Sequence, residues 1–404
     1  MAIRVLVLGG GFAGLSAARE LAKHRGKGAD VEVVLIDRRG DSVFSPLLPD
    51  LISRRVRPDH VLFPLGPFCT RLGVDFVQAD ILRINAGERR VETTEGTYGG
   101  DAIVICLGCE TNYYGNESAE SSAPGLKTVE EAHGIRASTL GAMEATASGQ
   151  DRRPVHLLVV GGGYTGFEIA THLSLLLRDV RESLGVVRRE RVRLMILEAS
   201  DEVLWGCSPR VRSKALQMAG RFGVEVFKNL TVEEFLEDRT VRLTDGRTIE
   251  NTRVVWAAGV RPGPVCDTLD VPRREGGRVS VDEHLRVIGH AGVFAAGDVA
   301  GAAPGGTERS LRMSVQFSLA GGVCAARNAL LSAQGRQCVA FSPLDPGYVV
   351  PLARGQATGI VLGKEVSGFV PYALHYFMSV VRAWGWRNRW GLIADAVTST
   401  ASRV

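Results

Sequence analysis

The chain has 404 residues, 45% of them apolar and 23% charged; it is too long for one ordinary core and too apolar for disorder, so two or three folded domains are expected. Its net charge of +4 includes no dense basic block, which argues against a nucleic-acid partner, and no stretch of about 20 residues lacks charges and breakers, which argues against a membrane span. Seven irregularly spaced cysteines and eight histidines without close ligand spacing exclude a disulfide framework and give no reason to expect a metal.

The first element is a short apolar run over residues 4–8. It ends in Gly9, Gly10 and Gly11, with Gly14 three positions on. An Ala- and Leu-rich helical pattern covers residues 15–23, and a second apolar run over residues 31–36 ends at Asp37. Strand, glycine turn, helix, strand and acid in that order are the dinucleotide-binding fingerprint in its full context. Gly9 permits the tight turn, Gly11 lets backbone approach a pyrophosphate, and Gly14 allows close helix–strand packing. The helix N-terminus offers free N–H groups to phosphate, and Asp37 can accept hydrogen bonds from ribose hydroxyls. Phe12 and Ala13 within the turn and Arg38 after the acid are further candidate contacts. Glycine makes up 48 of the 404 residues against a typical ~7%, and these turns account for part of the surplus.

The pattern returns 152 residues later. An apolar run over residues 154–160 leads into Gly161, Gly163 and Gly166, a helix extends to about residue 177, and a strand over 192–197 ends at Glu198. Tyr164 and Thr165 occupy the places of Phe12 and Ala13. One such turn is a weak signal; two in the same context are a strong one. Glu198 selects NADH, because a carboxylate there accepts from the 2′-hydroxyl and repels a 2′-phosphate. Glu168 lies in the first turn of the second helix, where the first copy has Ser16. An acid there suits the helix dipole, but aimed at a pyrophosphate it would repel it, so its side chain is expected to point elsewhere.

A third apolar run, residues 293–299, contains Gly297 and Asp298 and can return the chain to the first domain. Near the C-terminus, Pro371 can open a helix. Ala373, Tyr376, Phe377, Val380, Val381 and Trp384 then fall on one helical face. Residues 369–404 hold Arg382, Arg387, Arg389 and Arg403 against one acid, Asp395, and three of the five tryptophans. A basic, Trp-bearing amphipathic helix reads as a membrane-interface segment; packing on the body or on a second subunit is the alternative.

These motifs together resemble the type II NADH:quinone oxidoreductases, within the two-dinucleotide-binding-domain flavoproteins. The resemblance runs along nearly the whole chain. It includes Phe44, Pro46, Leu47 and Leu48, the stretch from Leu107 to Tyr113, the stretch from Trp256 to Pro262, and Arg387-Asn388-Arg389. It implies an α/β fold of two Rossmann-like domains, the second inserted in the first, plus a C-terminal amphipathic membrane-facing segment. The expected divisions are an FAD domain over residues 1–118 and 284–340, an NADH domain over 119–283, and an interface segment over 341–404. FAD would lie on Gly9, Gly11, Gly14, Asp37, Gly108, Gly297 and Asp298, with Pro46 and Leu47 adjoining. NADH would lie on Gly161, Gly163, Gly166, Glu198 and Gly259. The resemblance further implies hydride transfer from NADH to FAD and two-electron reduction of a membrane quinone, ubiquinone or menaquinone, without proton pumping. Glu168 and Gln316 would position the quinone and supply protons. The expected location is peripheral, on the cytoplasmic side of the cell membrane; a homodimer is left open.

The chain departs from the family at one point. A paired-glutamine pattern is met by Gln316, but Ala320 stands where the second glutamine would be, which removes one polar contact for a head group. Two other readings use the same scaffold. A sulfide:quinone oxidoreductase needs redox-active cysteines beside the flavin, and Cys106 and Cys109 read instead as a small buried residue and a loop residue. A soluble NADH reductase of a non-quinone acceptor would fit the altered glutamine pair.

Overall fold

The computed structural model describes residues 2–25, 30–184, 191–304, 309–353 and 355–401. Arg403, counted in the basic tail, lies outside them. The chain packs into two compact units: residues 1–42, 63–110 and 260–344 form the first, and 43–62, 111–259 and 345–404 the second.

The first unit is built on a five-stranded sheet in the order Val293–Ala295, Ala102–Ile105, Ile3–Leu8, Val31–Asp37, Asp75–Gln78. All its pairings are parallel. Continuous apolar runs suit such strands because helices cover both faces, and Val5, Leu6, Val7 and Leu8 are fully buried. The expected strand at residue 293 does join this sheet. The helix Phe12–Arg25 connects the two central strands and packs along the helix Val315–Ala333. That contact is close because Gly322 has no side chain: a Cβ there would sit 2.1 Å from the Ala13 carbonyl oxygen.

The second unit repeats the plan with a parallel sheet ordered Val224–Lys228, Val192–Glu198, Val155–Val160, Thr252–Trp256. Its glycine turn opens the helix Tyr164–Leu184, which runs seven residues past the expected end near residue 177. The short helix Leu48–Ile52 packs on this helix and on Val129–Ala147. After residue 345 come an antiparallel sheet of Gly347–Pro351, Ala357–Val361 and Lys364–Gly368, then the helices Phe369–Arg382 and Trp386–Ala401.

The C-terminal helices differ from the sequence expectation. The first starts two residues before Pro371, which still falls in the turn where no intrahelical N–H is needed. It stops at Arg382, so Trp384 is not on it. The expected single apolar face is divided: Tyr376 turns inward and its hydroxyl donates to Asp50, whereas Ala373, Phe377 and Val381 are exposed. Trp386–Ala401 is a second helix, which the single amphipathic helix read from the sequence did not include. It is held by Asn388, which donates to the Leu62 carbonyl at 2.7 Å, and by Asp395, 2.6 Å from the His60 ring.

Candidate active site

The two glycine turns have the same backbone geometry. Gly9 and Gly161 adopt φ of +100° and +109°, a region that side chains avoid. A Cβ on Gly14 would lie 1.7 Å from the Gly9 carbonyl oxygen, and one on Gly166 would lie 1.9 Å from that of Gly161. These glycines are what allows each helix to press against its strand. Gly11 and Gly163 are different, because a Cβ there would meet nothing within 4 Å. Packing does not require glycine at either place, so both turns leave open space at the helix N-terminus, where a phosphate group fits.

The acids at the ends of the second strands are also matched. The Gly10 N–H donates to Asp37 Oδ2 at 2.6 Å, and the Gly162 N–H donates to Glu198 Oε2 at 2.7 Å. Arg39 N–H holds the other Asp37 oxygen at 2.8 Å, and Ser200 N–H and Oγ hold the other Glu198 oxygen at 2.9 and 2.7 Å. Each carboxylate is therefore fixed beside its turn while keeping spare lone pairs for ribose hydroxyls.

In the first unit, Gly297 is at φ +79° with its Cα facing Ala13, and Ser318 Oγ lies 3.5 Å from Asp298 Oδ1. The Asp298 carbonyl accepts from Arg278 Nε at 3.1 Å and from the Cys109 thiol at 3.4 Å. Phe12 and Ala13 open the glycine-turn helix, Arg38 is exposed beyond Asp37, and Gly108 follows the strand Ala102–Ile105 in open space. Gln316 is half-buried in the first turn of Val315–Ala333, one turn before Ala320.

In the second unit, Tyr164 stacks edge-on against Tyr348 at 5.7 Å and its hydroxyl lies 3.1 Å from the Cys207 thiol. Thr165 is exposed. Gly259 leaves room for the Tyr114 hydroxyl, which a Cβ would approach to 2.5 Å. Pro46 and Leu47 belong to this unit and form the turn that opens Leu48–Ile52.

That short helix leads to a cluster that the sequence did not reveal. Asp50 is 3% exposed and His172 is 3% exposed, and Glu168 lies one turn before His172 on the same helix. The Tyr376 hydroxyl donates to Asp50 Oδ1. Ser53 Oγ lies 2.8 Å from His172 Nδ1, and His172 Nε2 lies 3.7 Å from Asp50 Oδ2. Arg55 donates to the Tyr372 hydroxyl at 2.5 Å, and the Tyr372 and Tyr376 rings are 4.8 Å apart. Burial dominates the protonation of the whole group. It pushes the Asp50 carboxyl up to about 6, against the pull of the Tyr376 hydrogen bond and the nearby Arg55 charge. It raises Glu168 well above the usual carboxylate range, with the Asp50 charge adding to the effect. Burial and the Arg55 charge bring His172 down to about 3. The His172–Asp50 approach is therefore not an ion pair at neutral pH, and its surroundings dispose Glu168 to hold a proton. The traces in the sequence were slight: Glu168 and His172 are spaced by four, as are Tyr372 and Tyr376, but nothing local connects those pairs to Asp50.

All seven cysteines are free. Burial pushes the thiols of Cys69, Cys266 and Cys324 up to about 11 and raises Cys106 further. Such thiols remain neutral at physiological pH and are poor nucleophiles.

Two apolar helix faces are left uncovered in the second unit. Val370, Phe377 and Val381 are exposed along one helix, and Trp386, Trp390, Ile393 and Val397 along the next. Arg389 anchors their junction, donating to the Ala383 and Val381 carbonyls at 2.9 and 3.0 Å. Among the described residues no helix is long and apolar enough to cross a membrane.

The sequence profile of the pyridine nucleotide-disulphide oxidoreductase family matches residues 3–322. A type II NADH:quinone oxidoreductase of Staphylococcus haemolyticus is 26% identical over 371 residues, covering 90% of this chain and 91% of that protein. The structure of NDH2 from Plasmodium falciparum in complex with NADH superimposes with a TM-score of 0.85 at 15% identity, covering 99% of this chain and 98% of the other. The sulfide:quinone oxidoreductase of Aquifex aeolicus superimposes with a TM-score of 0.75 at 17% identity, covering 99% and 94%.

Proposed function

The chain belongs to the pyridine nucleotide-disulphide oxidoreductase family, and from that premise we propose that it oxidises NADH through FAD and passes two electrons to a quinone without pumping protons. The observation that carries this reading is the repeated turn with two open cradles, one over Gly11 and one over Gly163. FAD, when bound, supplies the two-electron chemistry. Gly9, Gly11, Phe12, Ala13 and Gly14 would hold its pyrophosphate, Asp37 its ribose, and Gly297 and Asp298 its remaining polar chain. Gly161, Gly163 and Gly166 would hold the NADH pyrophosphate, and Glu198 would accept from the 2′-hydroxyl. The residues present fit both groups, since each cradle combines a helix N-terminus, open space and an anchored acid.

Quinone reduction by NADH consumes one proton from water per turnover, because NADH brings two electrons and only one proton. Glu168, whose desolvated setting beside Asp50 favours its protonated form, is assigned as the donor to the quinone oxygen. Gln316 is assigned as a head-group contact, one polar partner short because of Ala320. The buried thiols weigh against sulfide as the electron source. The uncovered apolar faces with Trp386 and Trp390 are assigned to a membrane interface on the cytoplasmic side of the cell membrane.

Anaerobic stopped-flow on the flavin-loaded protein tests this reading. NADH should bleach the flavin faster than NADPH or sulfide, and ubiquinone or menaquinone analogues should restore its colour. Bleaching by sulfide alone, or a reduced flavin that no quinone reoxidises, would overturn it. For the membrane assignment, the protein should sediment with anionic vesicles, and a Trp386→Ser, Trp390→Ser double variant should not. Constant dimer formation without vesicle binding would assign those faces to a second copy of this chain instead.

A further inference from the structure

The groups around Asp50 exceed what a structural role calls for. A buried carboxyl with one hydrogen-bond donor and one nearby cation could be replaced by a neutral side chain at little cost. Here, however, titratable groups converge on it from several elements. Arg55 faces it from the segment after its own helix, and Glu168 and His172 face it from Tyr164–Leu184. Tyr376, Tyr372 and His375 face it from Phe369–Arg382, and Arg382 lies beyond His375. The helix Val129–Ala147, also packed against this segment, brings Arg136. Its guanidinium is taken up by the Ile52 carbonyl at 2.8 Å and sits near Arg54 and Asp179 rather than Asp50. The balance inside the cluster is two carboxyls against one facing cation, Arg55. One carboxylate is compensated and the other must hold a proton, so the pair carries one exchangeable proton between them.

We propose that Asp50, joined to Tyr376 and His172, is the residue that resupplies Glu168 with the proton spent at each quinone reduction. This rests on the quinone reading above. When Glu168 gives its proton to the reduced quinone's oxygen it becomes a carboxylate beside Asp50. Asp50, the carboxylate facing Arg55 while Glu168 holds the shared proton, then takes up a proton from water and passes it to Glu168, returning to the carboxylate. That proton reaches Asp50 from water along Ser53 and His172. His172 suits this path because it is neutral: one ring nitrogen is 2.8 Å from the half-exposed Ser53 hydroxyl and the other is 3.7 Å from Asp50, a gap that one water or a small shift can close. Arg55, through Tyr372, holds the Tyr376 ring and fixes which Asp50 oxygen is occupied. No electrons pass through these residues; the electrons come from NADH, and the proton comes from solvent. Asp50 touches no substrate and acts through Glu168, as a positioning and proton-holding residue.

The test separates the two half-reactions. Asp50→Asn in the flavin-loaded protein should slow reoxidation of the flavin by a quinone about 10- to 100-fold, in the lower range of general-acid contributions. Reduction by NADH should slow far less. The pH profile of the quinone step should lose its limb near pH 6, and Asp50→Glu should recover most of the rate. Tyr376→Phe should shift that limb without removing it. A difference infrared spectrum of the wild-type protein, oxidised minus reduced, should contain a protonated-carboxyl band from Glu168 that Asp50→Asn shifts. If the wild-type flavin is never reoxidised by quinone, the underlying reading fails. If it is reoxidised and Glu168→Gln is slow, but Asp50→Asn is as fast as wild type or the carboxyl band is unchanged, the Asp50 assignment fails. An Asp50→Asn protein that does not fold leaves the wild-type infrared band and the Tyr376→Phe pH profile to decide.

Discussion

The two glycine turns of this chain have nearly the same backbone and different surroundings. Gly9 and Gly161 share a positive φ, Gly14 and Gly166 share an impossible Cβ, and Asp37 and Glu198 share a bond to the middle glycine. They diverge two residues further on. Ser16 is buried and small, whereas Glu168 faces Asp50, and desolvation with that neighbouring charge favours its protonated form. A repeated motif therefore reproduces what its own sterics require and leaves its other positions free to take on chemistry from whatever packs against them.

The largest effect should come from breaking what the two turns share. Gly14→Ala and Gly166→Ala force a Cβ into a carbonyl oxygen, and backbone displacement of that kind costs upward of about 3 kcal/mol. Both should give little folded protein. Gly11→Ala and Gly163→Ala meet nothing, so melting of the ligand-free protein should change by no more than about 0.5 kcal/mol. Flavin retention should fall in the first and NADH affinity in the second. Equal destabilisation by all four would remove the distinction between packing glycines and ligand glycines.

Glu168→Gln probes where the turns differ. It should slow quinone reduction about 100-fold and flavin reduction much less, while Ser16→Ala should leave both half-reactions within about twofold. Equal slowing of both steps by Glu168→Gln would show that the carboxyl is not a proton donor. A smaller effect is expected at the acids. Glu198→Ser should shift the NADH-to-NADPH preference by roughly tenfold, while Asp37→Ser should weaken flavin retention and leave that preference alone. An unchanged cofactor ratio in Glu198→Ser would contradict the ribose assignment.

The last effect, whose net size is reduced by two opposed slopes, is on stability against pH. Asp50 takes up a proton near pH 6 in the folded state and near 3.8 when unfolded. The folded chain thus binds the extra proton, and stability from this group is lost as pH rises from about 4 to 6, by about 3 kcal/mol. His172 behaves oppositely, at about 3 folded and 6.5 unfolded, so its contribution grows as pH rises through the same window. In the wild type the two opposed slopes partly cancel. Asp50→Asn removes only the falling one. Its melting temperature should climb more steeply between pH 4 and 6 than that of the wild type and should be no lower at pH 7. Parallel curves would mean that Asp50 does not hold its proton as described.

Much of the first-unit sheet and both turns could be read from the residues. Positive φ, the absence of a Cβ and an acid at a strand end are demands made within about 40 residues of chain, and they leave a fixed spacing. The C-terminal region was harder. The same periodicity that placed Tyr376 and Phe377 on one face could not say that one turns inward to a carboxyl and the other outward, because both are aromatic and adjacent. The helix after Trp386 went unread because Asn388, Leu392 and Asp395, which bury its inner face, look like scattered polar and apolar residues until His60 and Leu62 are placed against them.

Sequence by itself determined the two nucleotide cradles and the choice of acid beside each, since these follow from local sterics and the reach of one carboxylate. Only the tertiary structure decided that Asp50 meets Tyr376, 326 residues away, and that Asp50 also lies near Glu168 and His172. Protonation follows burial, and burial is a property of the whole packed unit that no short stretch of chain encodes.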